Sequence, residues 1–98
     1  MASATEIFAA LKPKTAVVEV GGVLIAVREL SLASRMHLAT MDPDNTPGRL
    51  AFIAQAGCEA FDEVSSEELA DKLPATALVE IANAVMDVSG LMGDDTGN

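Results

Sequence analysis

Two runs of aliphatic residues separated by a pair of glycines form the clearest pattern of apolar and polar positions along the chain. In the segment TAVVEVGGVLIAVR (15–28), Gly21 and Gly22 can adopt the positive φ angles that both central positions of a type I′ hairpin turn require. A two-residue loop there sets the register of the flanking strands: Val20 with Val23, Val18 with Ile25, Ala16 with Val27 and Thr15 with Arg28. We therefore predict an N-terminal β-hairpin over about 15–28, with one entirely apolar face and one mixed face.

Apolar residues at helical spacing predict three to five α-helices around this hairpin. The predicted helices cover about 2–11, 32–41, 49–60, 66–73 and 75–90. The first has an apolar stripe of Ile7, Phe8 and Leu11. The stripes expected to face the core in the longer helices are Leu32, Met36 and Ala39, then Leu50, Ile53, Ala54, Gly57 and Phe61, and last Leu78, Ile81, Ala82, Val85 and Val88.

Capping and turn residues mark where these elements begin and end. The expected N-caps are Ser3 or Thr5, Ser31, and Ser65, the last in a capping box with Glu68. Gly90 suits the C-terminal stop of the last helix, and the composition of DPDNTPG (42–48) is typical of a loop. We expect an α+β fold, with a single small domain over 1–92 and a disordered tail at 93–98.

The net charge of the chain limits the classes of partner that it can bind. The chain has 98 residues and a net charge of −9, whereas nucleic acids and anionic membranes are bound through Lys and Arg. No apolar run reaches the roughly 18–20 residues of a transmembrane helix, and no positively charged leader precedes an apolar run. We therefore expect a cytoplasmic protein that binds neither nucleic acid nor membrane.

The net charge is confined to one end of the chain. Residues 1–58 are neutral overall, whereas residues 59–98 carry the whole −9. Half of the chain is apolar, yet only 3% is aromatic, so the core is expected to consist of aliphatic side chains and methionines. We interpret the acidic end as a solvated face or an interaction surface.

No group of residues has the spacing of a catalytic, metal or cofactor site. His37 and Cys58 are the only candidates for a base and a nucleophile, but Cys58 lies among small apolar residues, which favours a packed thiol. One cysteine and one histidine cannot provide a zinc site or an internal disulfide. The triplet Asp95-Thr96-Gly97, typical of aspartic proteases, falls in the predicted tail. We expect no enzyme activity, no cofactor and no metal.

Apolar side chains near the two ends of the predicted domain are candidate partner contacts. Phe8 and Leu11 belong either to the core or to a surface for a partner, and core packing is the simpler expectation. Leu91 and Met92 follow the last helix and leave the same two alternatives open. A domain of this size cannot bury all of its apolar residues, so we expect a binding protein.

A fixed order of short segments is similar to that of a known family. The segments are LKPKT (11–15), VVEVGGVLIAV (17–27), REL with Ser31 (28–31), RLAFIAQAGC (49–58), EAFDEVSSEELADKLP (59–74) and IANAVMDVSGL (81–91). In this order they resemble the tail assembly chaperones of long-tailed bacteriophages, over roughly residues 7–91. The most specific parts are the VREL-S junction (27–31) and the EEL-LP pattern followed by a helix that ends in SGL.

The resemblance implies a non-catalytic role in building the phage tail. Members of the family bind the tape measure protein, a long and often apolar helical rod that sets tail length. They keep it dispersed, as many copies along the rod, until tube subunits replace them, so the resemblance also implies a homo-oligomer. The resemblance thus implies a protein of the infected host's cytoplasm that is absent from the mature virion. It also implies a short form, with a frameshifted longer form that recruits the tail tube protein.

Two other functions remain open. The chain could be a minor structural tail protein or a head–tail connector of the virion, in which case purified virions would contain it at a fixed stoichiometry. It could also be an acidic adaptor module, which the neighbouring genes would indicate.

Overall fold

Five α-helices and one β-hairpin make up residues 1–91, the part of the chain that this computed structural model describes. In chain order they are α1 (Ala4–Ala10), β1 (Thr15–Val20), β2 (Val23–Arg28), α2 (Leu32–Thr40), α3 (Thr46–Ala56), α4 (Ser66–Lys72) and α5 (Ala75–Val88). A 3₁₀ turn at Glu59–Phe61 lies between α3 and α4. The α+β fold predicted from the sequence is confirmed. The tail predicted at 93–98 lies outside the described residues.

The hairpin has the predicted turn and register. Gly21 and Gly22 adopt φ angles of 59° and 81°, and every strand pair agrees with the register that a two-residue loop dictates. The predicted apolar face packs against α5, and its core side chains are Val18, Val20, Ile25 and Val27. The opposite face presents Val17 and Leu24 to solvent, so the hairpin is covered on one side.

Helices α3 and α5 form the centre of the core. The predicted stripe of α5 is buried at Leu78, Ile81, Ala82 and Val85, with Val88 half-buried. Gly57, directly after α3, lies so close to α5 that a Cβ atom there would collide with both γ-methyl groups of Val85. The absence of a side chain at this glycine therefore lets the end of α3 lie directly on α5.

The core-facing stripe predicted for α2 is wrong. All three of its residues are exposed: Leu32, Met36 and Ala39. Leu38 is the buried residue of this helix, and Arg35, three residues before it, donates from Nη2 to the carbonyl oxygen of Ser89 at 2.7 Å. Carbonyl groups at a helix C-terminus lack partners within the helix. Arg35 supplies such a partner at the end of α5, and it therefore takes a position on α2 that an apolar residue could have filled.

Helix α3 begins at Thr46, three residues before its predicted start, within a segment predicted to be a loop. The Oδ1 atom of Asn45 accepts a hydrogen bond from the backbone N–H of Gly48 at 3.2 Å and so caps the helix. Pro47 is tolerated in the first turn because N–H groups there have no partner within the helix. The helix also ends early, at Ala56.

The three predicted serine caps are present. Ser3, Ser31 and Ser65 are the N-caps of α1, α2 and α4. At α4 the Oγ atom of Ser65 accepts from the backbone N–H of Glu68 at 3.1 Å, while the Glu68 carboxylate pairs with Lys72 at 2.9 Å. Of the predicted capping box only the bond to Ser65 Oγ forms in residues 1–91, and the Glu68 carboxylate supports the helix through an i,i+4 ion pair instead.

One joint connects the end of β2 to the end of α5. The Oγ atom of Ser89 accepts a hydrogen bond from the backbone N–H of Leu30 at 2.8 Å, and both residues are buried. Gly90, at a φ of 73°, ends α5 as predicted. The backbone N–H of Leu91 then donates to the carbonyl oxygen of Met86 at 2.8 Å, as in a Schellman motif. The joint therefore fixes the point at which the chain leaves α5.

Candidate binding surfaces

Helix α1 does not pack on any other helix or strand of residues 1–91; residues 1–14, which include it, are here called the arm. Among residues 1–91, no Cα atom of α1 lies within 8 Å of a Cα atom in another helix or strand. Phe8 and Leu11 are 75% and 76% exposed, and no residue of the helix is buried. The expectation that these two side chains pack in the core is wrong, because Pro13 and the short linker lead α1 away from it. Their role as partner contacts stays a prediction.

Local hydrogen bonds hold α1 in its helical form. The backbone N–H of Ser3 donates to the carboxylate of Glu6 at 3.1 Å, and the backbone N–H of Glu6 donates to Ser3 Oγ at 3.2 Å. The pKa of Glu6 lies below its usual value, first because of the Ser3 backbone donor and second because of the Ser3 side chain. The N–H groups of Ser3 and Glu6 at the start of α1 thus both have local acceptors, as in a capping box.

Lys14 fixes the root of the arm. Its backbone N–H donates to Glu29 Oε1 at 2.9 Å, and its carbonyl oxygen accepts from the backbone N–H of Glu29 at 2.8 Å. The backbone bond extends the hairpin ladder by one residue pair, and the bond to the Glu29 side chain reinforces it. Only Leu11, Lys12 and Pro13 therefore separate α1 from the rigid part of the chain.

A groove opens along the outer edge of β2. It encloses about 590 Å³ between this strand and the segment formed by the 3₁₀ turn, α4 and α5. The apolar side chains that line it include Leu24, Ala60, Phe61, Leu73 and Ala77. In the observed register, Leu24 and Ala26 belong to the non-hydrogen-bonded pairs, so their N–H and C=O groups point away from β1 and towards the groove side. The groove thus has apolar walls and the free edge of a strand.

Exposed large apolar side chains are concentrated in the first part of the chain. Of the eleven in the described residues, two, Val79 and Leu91, lie after position 36. The other nine are Met1, Ile7, Phe8, Leu11, Val17, Val23, Leu24, Leu32 and Met36. The neutral part of the chain therefore holds nearly all of the apolar surface that a partner could cover. Leu91 is exposed where α5 ends, and Met92 lies outside the described residues.

The acidic part of the chain presents its charge to solvent. Within residues 59–91, the acidic residues with exposed side chains that form no ion pair are Glu59, Glu63, Glu67, Asp71, Glu80 and Asp87. Asp62 binds Arg28 at 2.6 Å, and the Nε atom of Arg28 donates to the carbonyl oxygen of Ala56 at 3.2 Å. Arg28 is therefore the residue that joins the hairpin to the start of the acidic segment.

The structure does not assemble His37 and Cys58 into a nucleophile–base pair. Cys58 is completely buried, and loss of hydration raises the pKa of its thiol to about 11 although the positive charge of Arg28 acts in the opposite direction. The exposed His37 ring lies against Phe52, with 4.7 Å between the ring centroids. No hydrogen bond joins these two side chains in residues 1–91, so each has a packing role.

Residues 1–91 were also compared with the requirements of a metal site and of a membrane-spanning helix, and they meet neither. Residues 1–91 contain no group of three or more His, Cys, Asp or Glu side chains placed to hold a metal ion. None of their helices combines the length and the apolar character needed to cross a bilayer. The triplet Asp95-Thr96-Gly97 lies outside the described residues.

The most specific segments of the family resemblance have roles in folding. In VREL-S, Val27 and Leu30 are buried and Ser31 caps α2. In the SGL segment, Ser89 binds the backbone of Leu30 and Gly90 ends α5. The two segments thus meet at the joint between β2 and α5, where these residues have structural roles.

Sequence reasoning missed the groove because its walls come from separate elements. β2 supplies one wall, while Ala60, Leu73 and Ala77 come from segments up to fifty residues further along the chain. The one signal available was the unpaired edge that any two-stranded ribbon leaves.

No family model, curated protein or solved structure matched this chain in comparisons with known proteins.

Proposed function

We propose that this chain is a non-catalytic tail assembly chaperone of a long-tailed bacteriophage, which binds the tape measure protein and keeps it dispersed. On this proposal it acts in the cytoplasm of the infected host and is absent from the mature virion. A frameshifted longer form and the tail tube protein are further partners that the same role implies.

The observation that carries the proposal is the separation of exposed apolar surface from charge. The exposed large apolar side chains lie almost entirely before position 37, whereas the net charge of −9 lies in residues 59–98. A chaperone for an apolar rod needs one surface to cover the client and another to keep the complex in solution by mutual repulsion. This chain has both, on different elements.

The hairpin and α2 are the surfaces best suited to the client. Val17 and Leu24 are exposed on the mixed face of the hairpin, and Leu32 and Met36 are exposed on α2. An apolar helix can cover such side chains without any rearrangement of the core beneath them. Each contact is small, so retention of the client depends on many copies bound along one rod.

Co-expression with the tape measure protein from the same genome tests the proposal. We expect the tape measure protein to appear in the soluble fraction, in complex with this chain, only when this chain is present. Equal solubility without this chain, or presence of this chain in purified virions at a fixed stoichiometry, would contradict the proposal. The second result would instead support the structural tail or connector protein.

A matched pair of substitutions localises the client surface. Met36→Lys and Val79→Lys each replace an exposed apolar side chain on a helix by lysine, with the same change in charge. We expect Met36→Lys to reduce the soluble tape measure protein and Val79→Lys to leave it unchanged. The same loss in both variants would show that the charge change, rather than the surface on α2, is responsible.

A further inference from the structure

Helix α2 leaves two large apolar side chains exposed to solvent. Leu32 and Met36 lie one turn apart on the helix and are 74% and 62% exposed. The other side of the helix is held in place: Leu38 is buried, and the Nη1 atom of Arg49 donates to the carbonyl oxygen of Leu38 at 3.0 Å. Another segment can therefore cover the exposed face of α2 without any change in the core.

The chain leaves α5 beside this exposed face. The Nη2 atom of Arg35 donates to the carbonyl oxygen of Ser89, at the end of α5, over 2.7 Å. Residues three and four apart are neighbours on the surface of a helix, so Leu32 borders both Arg35 and Met36. The residues that follow Leu91 therefore begin near the Leu32 end of α2.

The segment after Leu91 is long enough to follow α2 from one end to the other. Residues 92–98 (MGDDTGN) span up to about 23 Å when extended, at roughly 3.3 Å per residue. Helix α2 has nine residues and is about 14 Å long at about 1.5 Å per residue. The one large apolar residue of the segment, Met92, comes first, at the end of α2 where Leu32 lies.

The segment and helix α2 carry charges of opposite sign. The segment holds two aspartates and no Lys or Arg, whereas α2 and α3 hold Arg35 and Arg49 and no Asp or Glu. The Nη2 atom of Arg35 lies 4.0 Å from a carboxylate oxygen of Glu29, and Arg49 forms no ion pair within residues 1–91. The aspartates of the loop at 42–48 follow the end of α2 that is farther from α5. Positive charge beside the first turns of α2 therefore favours an acidic segment there.

We propose that residues 92–98 lie along α2 of their own chain and cover its exposed apolar face. Met92 packs against Leu32 and Met36, and the two aspartates face Arg35. The joint at the end of α5 keeps the segment at a high effective concentration near this face, which favours a contact within one chain. The segment then competes with the client for the surface on α2; this competition rests on the proposed function, whereas the contact itself does not.

A spin label on the segment tests the contact in the full chain without any client. Thr96→Cys provides the attachment site, because Cys58, the one natural cysteine, is completely buried. The label should enhance the relaxation of the Met36 methyl signal, whereas Val79, an exposed residue ten positions before the joint, serves as the distant reference.

A matched variant separates docking from mere attachment to the chain. Met92→Ser/Asp94→Asn/Asp95→Asn keeps the length of the segment and removes its apolar anchor and its charges. We expect the enhancement at Met36 to fall by about threefold or more in this variant, since an undocked segment samples many positions around its attachment point. Equal enhancement with and without these substitutions overturns the proposal.

A mixture of two chains distinguishes a contact within one chain from a contact between copies. One chain carries the spin label and no isotope label, and the other carries the isotope label and no spin label. We expect no enhancement at Met36 in this mixture at low protein concentration. Enhancement as large as in the singly labelled sample would place the segment on a second copy and overturn the contact within one chain.

Electron paramagnetic resonance of the same label, in the complex with the co-expressed tape measure protein, tests the competition. We expect the label to be more mobile in the complex than in the free chain, because the client displaces the segment. A label that stays immobile in the complex overturns the competition and leaves both the contact and the proposed function in place. If no complex forms, the proposed function fails together with the competition, and the contact is still decided by the free chain.

Discussion

Helices α1 and α5 both begin with Ala-Thr and both carry an apolar stripe, yet α5 buries its stripe and α1 buries nothing. Helix α5 has fourteen residues and packs between the hairpin and α3, whereas α1 has seven and is separated from the hairpin by Pro13. Helical spacing of apolar residues therefore predicts which face of a helix is apolar, and connectivity decides whether this chain can cover that face.

The contrast extends to charge. In the part of the chain after Cys58, apolar side chains are inside and acidic side chains outside, the usual arrangement of a solvated face. In the first 36 residues, which carry a net charge of +1, many apolar side chains are outside instead. A short helix is only marginally stable by itself, so a partner that covers α1 would also stabilise its helical form.

Replacing the same amino acid in the two helices should give the largest difference. Ile81 of α5 is 1% exposed and Ile7 of α1 is 42% exposed. Ile81→Ala removes packed methyl groups from the core and should lower the free energy of unfolding by about 2–5 kcal/mol. Ile7→Ala should change it by less than about 0.5 kcal/mol. Urea unfolding at low protein concentration, where association is minimal, measures both values. Similar losses in the two variants would mean that α1 is packed on its own chain.

The buried joint and the exposed cap give a second, smaller difference. Ser89→Ala leaves the buried N–H of Leu30 without its acceptor, which should cost about 1–3 kcal/mol of stability. Ser3→Ala removes the cap of α1, and it should reduce the helical circular dichroism signal while the unfolding midpoint stays unchanged. A midpoint that falls in Ser3→Ala as far as in Ser89→Ala would show that folding of α1 is coupled to the core.

Local rules predicted the hairpin and most of the helix ends. The two glycines set the register of the whole hairpin, and Ser31 and Gly90 mark real helix boundaries because their preferences act within a few residues. The start of α3 was missed, since Pro47 and Gly48 are common in loops as well as in the first turn of a helix.

Features made by distant residues could not be predicted from local patterns. The wrong stripe on α2 results from Arg35 binding Ser89, which lies 54 residues further along the chain. The groove likewise depends on how β2 lies against α5. Phe8 and Leu11 are exposed because α1 contacts no other helix or strand within residues 1–91. An apolar stripe in the sequence does not show whether such a contact forms.

A further expected effect, confined to alkaline solution, is a loss of stability of the packed region at high pH. Burial raises the pKa of the Cys58 thiol to about 11 from its ordinary value of 9.0. Above pH 9 the unfolded chain releases this proton while the folded chain keeps it, so stability falls between pH 9 and 11, by up to about 1.4 kcal/mol per pH unit. The chain has no tyrosine to titrate in this range. Thermal unfolding from pH 8 to 10.5 should therefore show a steeper fall in the unmodified chain than in Cys58→Ala. If stability falls equally with pH in the unmodified chain and in Cys58→Ala, the pKa of the Cys58 thiol is the same in the folded and the unfolded chain. Burial would then not raise the pKa of this thiol.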